Sequence, residues 1–421
     1  MMTATPPHPT GTPRRTAGFV LMVGLLTLLP AVTTDMYLPS LPDVARDLST
    51  NEAGAQFTIT GMLIGGAIGQ LIVGPFSDRV GRRLPVLIGV GLHVLISLTC
   101  VFVTTITQLA TLRVLQGLVS AGATVVAMAV VRDRYSGAEA ARIISRLMLV
   151  IAAAPLLAPT VGSVIAEIWD WRAVFVALAL VALVILLAAA RFLPETLPAE
   201  RRTTQGITTS LRGYLELVRD GRFVALAVIP GLSMALIMSY VAGSPFVLQE
   251  GYGLTSQQFA IAFAVGGTSL VAGSQLNAAL VRRVGPVRLL RLGLPATAAV
   301  AGFLVPVTVL QVGGVAGFVG TLWVCTALLG FVMANASALA LTRHGERAGT
   351  AAAVIGFMQA GLAGLVSPLV GLFGGGAGAM TGVMFGSMLL ALVILAFATP
   401  AYRPGGWVEL GGEPVGTPAP H

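Results

Sequence analysis

The sequence predicts an all-α membrane protein with twelve transmembrane helices arranged as two pseudo-symmetric six-helix bundles. Three observations predict it. Of the 421 residues, 56% are hydrophobic and only 10% are charged, with a mean hydropathy of +0.89, whereas an ordinary soluble domain carries about 25% charged residues. Apolar runs long enough to cross a ~30 Å hydrocarbon core, which takes about 20 helical residues, recur twelve times. The longest interruption between runs, RFLPETLPAERRTTQGITTSLRGYLELVRDGR at 191–222, separates six from six.

The runs fall at 18–40, 56–76, 85–105, 109–131, 143–166, 172–193, 223–247, 257–281, 288–310, 314–341, 349–373 and 377–399. The first follows TPRRTAGFV, meets no small-residue cleavage site and continues through Pro39 and Pro42, so it reads as a retained helix rather than a signal peptide. An N-terminal bundle at 18–193, a cytoplasmic linker at 194–222 and a C-terminal bundle at 223–400 follow. The Pro/Gly-rich tails 1–17 and 401–421 read as disordered.

All 25 basic residues are arginines; 22 fall on the side of the termini, Arg46 and Arg172 on the other, and Arg113 inside a span. Positive charge on the inner side puts both termini in the cytoplasm. The net charge of +8 is then an orientation signal facing anionic lipid, and no nucleic-acid partner is expected. Cys100 and Cys325 lie in separate spans with no metal-ligand spacing around them, so neither a disulfide nor a metal is expected. P-loop, HExxH and GxSxG patterns are missing, which argues against an enzyme. No cofactor is expected, and the chain reads as a monomer embedded in the bilayer.

The two halves repeat. DRVGRRLPVLIG (78–89) lies on RRVGPVRLLRLG (282–293), matching Arg79 to Arg283, Val80 to Val284, Gly81 to Gly285 and Gly89 to Gly293; APTVGS (158–163) pairs with SPLVGL (367–372). Repeated six-helix units imply a midplane site opened alternately to each side. Small residues every fourth position, Gly61, Gly65 and Gly69 in span 2, Ala154, Ala158, Gly162 and Ala166 in span 5, and Ala352, Gly356, Ala360 and Gly364 in span 11, allow close, sliding helix contacts.

Asp35 is the one Asp or Glu well inside a span, where a charge costs about 2.5–3.5 kcal/mol on insertion scales. A proton carrier, if there is one, must be Asp35. Arg113 is the one arginine deep in a span; counted from the outer ends, Asp35 is about seven residues before Pro42 and Arg113 about six after Thr107. At ~1.5 Å per residue both lie ~10 Å deep, so contact between them is allowed. His93 could shuttle protons, but a lone histidine in a helix reads more simply as a bystander. Tyr37, Gln116, Tyr240, Asn335, Met358 and Gln359 are candidates to line a central cavity.

Three motifs carry a family resemblance. GPFSDRVGRR, Gly74 to Arg83, resembles the signature loop of the major facilitator superfamily (Gly, any, Leu, Ala/Ser, Asp, Arg, any, Gly, Arg, Arg/Lys), with Phe76 in place of the Leu. LATLRVLQGLVSAG matches the family's proton-coupling pattern at Leu109, Arg113, Gln116 and Gly117. APLLAPTVGS resembles the antiporter motif of the drug-efflux branch at Pro155, Pro159 and Gly162, with Ala158 and Ser163 where glycines are usual. TTDMYLPSLP and VVRDRYSG resemble the bicyclomycin-resistance and chloramphenicol/florfenicol-efflux (Bcr/CflA) subfamily.

The resemblance implies the major facilitator fold and a proton-coupled antiporter that exports small amphipathic, neutral drugs, with Asp35 and Arg113 coupling the proton. A proton-coupled importer or uniporter of a small metabolite is the alternative. It also implies a cytoplasmic gate at Gly74, Asp78, Arg79, Gly81, Arg82 and Arg83, with Asp78 docked on the positive N-terminal end of span 11 near Gly349. Thr27 stands where a multidrug relative has a second acid.

Overall fold

The computed structural model describes residues 13–135, 137–203, 207–344 and 348–403. Helices α1 (Pro13–Asp35) and α2 (Leu41–Asp47), joined by a 3-10 turn (Leu38–Ser40), make the first crossing. The N-terminal bundle continues with α3 (Glu52–Val80), α4 (Arg83–Cys100), α5 (Ile106–Arg134), α6 (Gly137–Ile168) and α7 (Trp171–Phe192). The linker holds α8 (Ile207–Val218). The C-terminal bundle comprises α9 (Gly221–Pro245) with a π-helical extension (Phe246–Gly251), α10 (Ser256–Val284), α11 (Pro286–Val309), α12 (Gly314–Arg343), α13 (Ala348–Val366) with α14 (Leu369–Leu372), and α15 (Gly376–Ala398).

Among the described residues eleven crossings are long and apolar enough to span a membrane, and α6, at 32 residues, supplies the twelfth. The chain is a multi-pass membrane protein. Most of both tails, 1–12 and 404–421, lies outside the described residues. Residues 13–17, expected with the first tail, are already helical in α1. Beyond α15 the Tyr402 hydroxyl donates to the Arg291 carbonyl at 2.9 Å.

Local chemistry starts the helices where the apolar runs begin. Side chains of Asn51, Thr105 and Asp170 accept from the backbone N–H three residues on, and Thr255 with Gln258 forms a capping box, each satisfying donors that a helix start leaves free. The predicted duplication appears in the backbone itself. Gly81 and Gly285 close α3 and α10 with φ of 102° and 82°, a conformation that a side chain would strain.

Asp220 caps α9 by accepting from Arg222 and Phe223, and it also receives Arg343 Nε at 2.6 Å and His344 Nε2 at 3.0 Å from the end of α12. Partial burial pushes its carboxyl upward, but these donors outweigh that and hold it at about 2. Since the folded value is depressed, its contribution is complete above about pH 4 and is lost as pH falls through about 2. Asp220→Ala therefore costs about 1 kcal/mol of capping. Melting in detergent reads it as a lower midpoint near neutral pH, with the gap to wild type closing in acid.

Glycines set the closest packing. A Cβ at Gly65 would fall on the Val114 carbonyl and one at Gly117 on the Met62 carbonyl, so the stripe on α3 lets it lie backbone to backbone on α5. Gly273 makes the same approach to Ala327 between α10 and α12, which repeats the arrangement in the second bundle.

The bundles meet at the end opposite the chain termini. Gln249 Nε2 donates to the Pro39 carbonyl at 3.2 Å, Gln257 Nε2 to Glu167 at 2.8 Å, and Gly376 N to Glu52 at 3.2 Å. Residues 36–48 share one hydrophobic core with Phe246, Val247 and Leu248, whereas the N-terminal bundle keeps a separate core around Phe19, Leu26, Val126 and Ile185 toward the terminal end. The structure is therefore sealed at one end.

Candidate functional site

Asp35 is the last residue of α1, 8% exposed. Its carboxylate has no hydrogen bond or salt bridge among the described residues. From the other bundle Tyr240 on α9 lies close enough to feel its charge, so Asp35 faces the seam between the halves. Tyr240 is stacked on Phe263, ring centroids 5.4 Å apart. Burying an unpaired carboxylate is expensive, which is what a group that must exchange a proton requires.

The turn that carries Asp35 is gripped on both sides. Arg113 Nη1 donates to the Thr33 carbonyl at 3.2 Å, and Gly162 on α6 sits against the Met36 carbonyl, where a Cβ would clash. Pro155 and Pro159 lie in the same helix, and the glycine of the antiporter-like motif borders the end of α1.

Arg113 is fully buried, and the contact with Asp35 that their equal depth allows is not made. Its Nη1 donates to Gln116 Oε1 at 2.6 Å, its guanidinium lies over the rings of Tyr37 (4.9 Å) and Phe175 (5.9 Å), and its Nε and Nη2 have no partner among the described residues. The reason is rotational. Residues two apart on a helix point about 200° away from each other, so if Thr33 faces Arg113 inside the N-terminal bundle, Asp35 faces out of it.

The cavity candidates divide. Tyr37 and Gln116 are both 0% exposed; Tyr37 bonds Thr58 at 3.0 Å and Gln116 Nε2 donates to Ser97 at 2.8 Å, so these two are part of the bundle interior and do not line an open cavity in this conformation. Asn335 is turned into the C-terminal bundle, donating to Asn277 at 2.7 Å. Tyr240 borders the seam, while Met358 and Gln359 are half-buried on α13, whose Gly356 and Gly364 face Gln70 and Ile64 of α3.

At the terminal end of the N-terminal bundle the loop after α3 is built around Arg82. Its Nη1 donates to Ser77 (2.8 Å) and Asp78 (2.5 Å), and its Nε to Asp133 on α5 (3.0 Å). Asp78 is thus held by Arg82, four residues on; a Cβ at Gly349 near the start of α13 would meet nothing. Arg79 and Arg83 are exposed, and Gly74 packs near Val125.

Sequence reasoning gave no role to Glu195. It accepts from the N–H groups of Arg82 (2.8 Å) and Arg83 (3.3 Å), under a Gly81 that has no room for a Cβ. Burial raises its carboxyl, but those two donors and Leu197 N–H bring it below the ordinary value. The signal was an acid between two prolines in LPETLP at the end of a span.

The Major Facilitator Superfamily model matches residues 23–368. An "Uncharacterized MFS-type transporter YdgK" of Bacillus subtilis is 36% identical over 90% of this chain and 94% of its own length. A "Bicyclomycin resistance protein homolog" of Haemophilus influenzae is 30% identical over 84% of this chain and 88% of its own. Among solved structures, a D-xylose–proton symporter superposes with a TM-score of 0.73 at 18% identity, covering 92% of this chain and 99% of that one, a likeness that speaks to fold alone.

Proposed function

The chain belongs to the Major Facilitator Superfamily, and from that premise we propose that it is a drug efflux transporter of the cytoplasmic membrane that exchanges outgoing drug for incoming protons. The carrying observation is Asp35, a buried acid with no partner among the described residues, close enough to Tyr240 of the opposite half for that residue to feel its charge. With both termini in the cytoplasm the sealed end is the outer one, so the conformation is inward-facing. Deprotonated Asp35 then favours drug loading from inside; a proton arriving from outside neutralises it and favours release. The protein works as a monomer, since both bundles that frame the seam come from one chain.

Alternation needs a seal that opens readily. Ser40 on the turn before α2, Gln56 on α3 and Ser367 at the α13–α14 joint carry buried polar atoms without partners among the described residues. Each costs about 1–3 kcal/mol while dry. Opening the outer end wets them, which offsets part of the cost of separating the apolar surfaces there.

Substrate charge follows from the same inventory. A strongly cationic drug needs lasting negative charge in an apolar site, and Asp35, which must also take the proton, is the one acid there. Thr27, where a second acid would stand, is buried and donates to the Gly24 carbonyl at 2.8 Å. In an efflux-deficient host the chain is expected to protect against chloramphenicol, florfenicol or bicyclomycin and not against ethidium, and Thr27→Glu to extend the range toward cations. Strong ethidium efflux with no protection against the three neutral drugs would refute this.

A further inference from the structure

His93 on α4 is fully buried, and the mechanism above leaves it without a task. Its Nδ1 is 2.9 Å from Ser120 Oγ on α5, and its Nε2 is 3.4 Å from Thr33 Oγ1 on α1. Ser120 spends its hydrogen within its own helix, donating to the Gln116 carbonyl at 2.6 Å, whereas the single Thr33 hydroxyl hydrogen is shared between the Leu29 carbonyl at 2.6 Å and Nε2 of His93. Ser120 can then only accept, so Nδ1 carries the imidazole hydrogen. The bare Nε2 accepts the longer arm of the shared Thr33 hydrogen.

These bonds close a ring. Arg113 reaches the Thr33 carbonyl and Gln116 Oε1; the Gln116 carbonyl takes Ser120; Ser120 takes His93; His93 returns to Thr33. Ser97 braces it, donating to the His93 carbonyl at 2.8 Å while accepting from Gln116 Nε2. Three helices are thereby locked at the turn of α1 that ends in Asp35.

We infer that His93 is a positioning residue of the coupling site: its ring clamps Thr33 of α1 to Ser120 of α5 and so fixes where Asp35 stands relative to Arg113. The inference rests on the reading of Asp35 as the proton-binding group. Of the charged groups around the imidazole, Arg113 on α5 acts on it directly. Asp35 on α1 has no bond to the ring, residues 53–77 of α3 and 174–189 of α7 contain nothing ionisable, and α4 adds Arg83 and Cys100 at its two ends. A change at His93 therefore reaches Asp35 through the geometry of the ring.

The test is the titration of the Asp35 carboxyl in the purified full chain by difference infrared spectroscopy, its band assigned by loss in Asp35→Asn. His93→Leu, which removes both limbs, is expected to move the midpoint by ~0.5 pH unit or more, a threefold change in proton affinity. Thr33→Val, which deletes one hydroxyl and keeps the carbonyl for Arg113, should move it in the same sense. His93→Asn, which still offers an N–H toward Ser120, should fall between wild type and His93→Leu. A wild-type midpoint in His93→Leu overturns the clamp; if that variant does not fold, Thr33→Val decides by the same criterion. Wild-type drug transport that ignores pH, with the band still moving in these variants, would remove proton coupling and leave the clamp standing.

Discussion

Asp35→Asn reduces drug resistance to the level of cells without the transporter and abolishes the pH dependence of transport, while expression and membrane insertion match wild type. The substitution is nearly isosteric at a position that touches no hydrogen-bonding partner among the described residues, so folding loses nothing. Insertion becomes easier, since an ionisable group at that depth costs about 2.5–3.5 kcal/mol. What disappears is the one acid well inside a membrane span. Resistance assays at two external pH values, with membrane quantities measured by immunoblot, check this; wild-type resistance in a normally inserted mutant would refute it.

Arg113→Met should separate function from stability. The guanidinium is fully buried, lacks a carboxylate partner and leaves Nε and Nη2 unsatisfied among the described residues. Replacing such an ion by an apolar chain of similar length is neutral or stabilising by ~1–4 kcal/mol in comparable buried cases, and the Tyr37 and Phe175 rings offer a surface for the thioether. The melting temperature in detergent is therefore expected to hold or rise. Transport is expected to fall to background, because the Thr33 carbonyl, two residues before Asp35 on the same turn, loses its donor. A mutant that melts well below wild type would mean that the arginine is structural; one that transports normally would remove it from the mechanism.

Much of this architecture can be read from periodicity and composition. Twelve apolar runs, a polar break after six and a glycine at the same offset in each half are one-dimensional signals, and Gly81 and Gly285 both have positive φ. Depth is also one-dimensional, which is why counting from Pro42 and Thr107 brings Asp35 and Arg113 to one level. Rotation is not. The roughly one hundred degrees between successive residues decide that Thr33, and not Asp35, meets Arg113, and that Tyr37 and Gln116 turn into their own bundle. A single sequence of apolar residues on every face does not say which face is which. His93 was hidden for another reason: its partners are serine and threonine hydroxyls on two other helices, residues too common in membrane spans to stand out. The bond from Arg82 to Asp78 was hidden too, because their spacing of four residues straddles the helix end at Gly81.

Exchange of drug for protons is tested most directly by purified protein in liposomes with an imposed pH gradient and no other energy source. With the interior acidic, outward proton flow is expected to accumulate chloramphenicol or a related neutral drug above its equilibrium level. A protonophore should collapse that accumulation, and Asp35→Asn should never show it. Equilibration without accumulation, or accumulation with the interior alkaline, would contradict antiport and leave a uniporter or a symporter on the same fold.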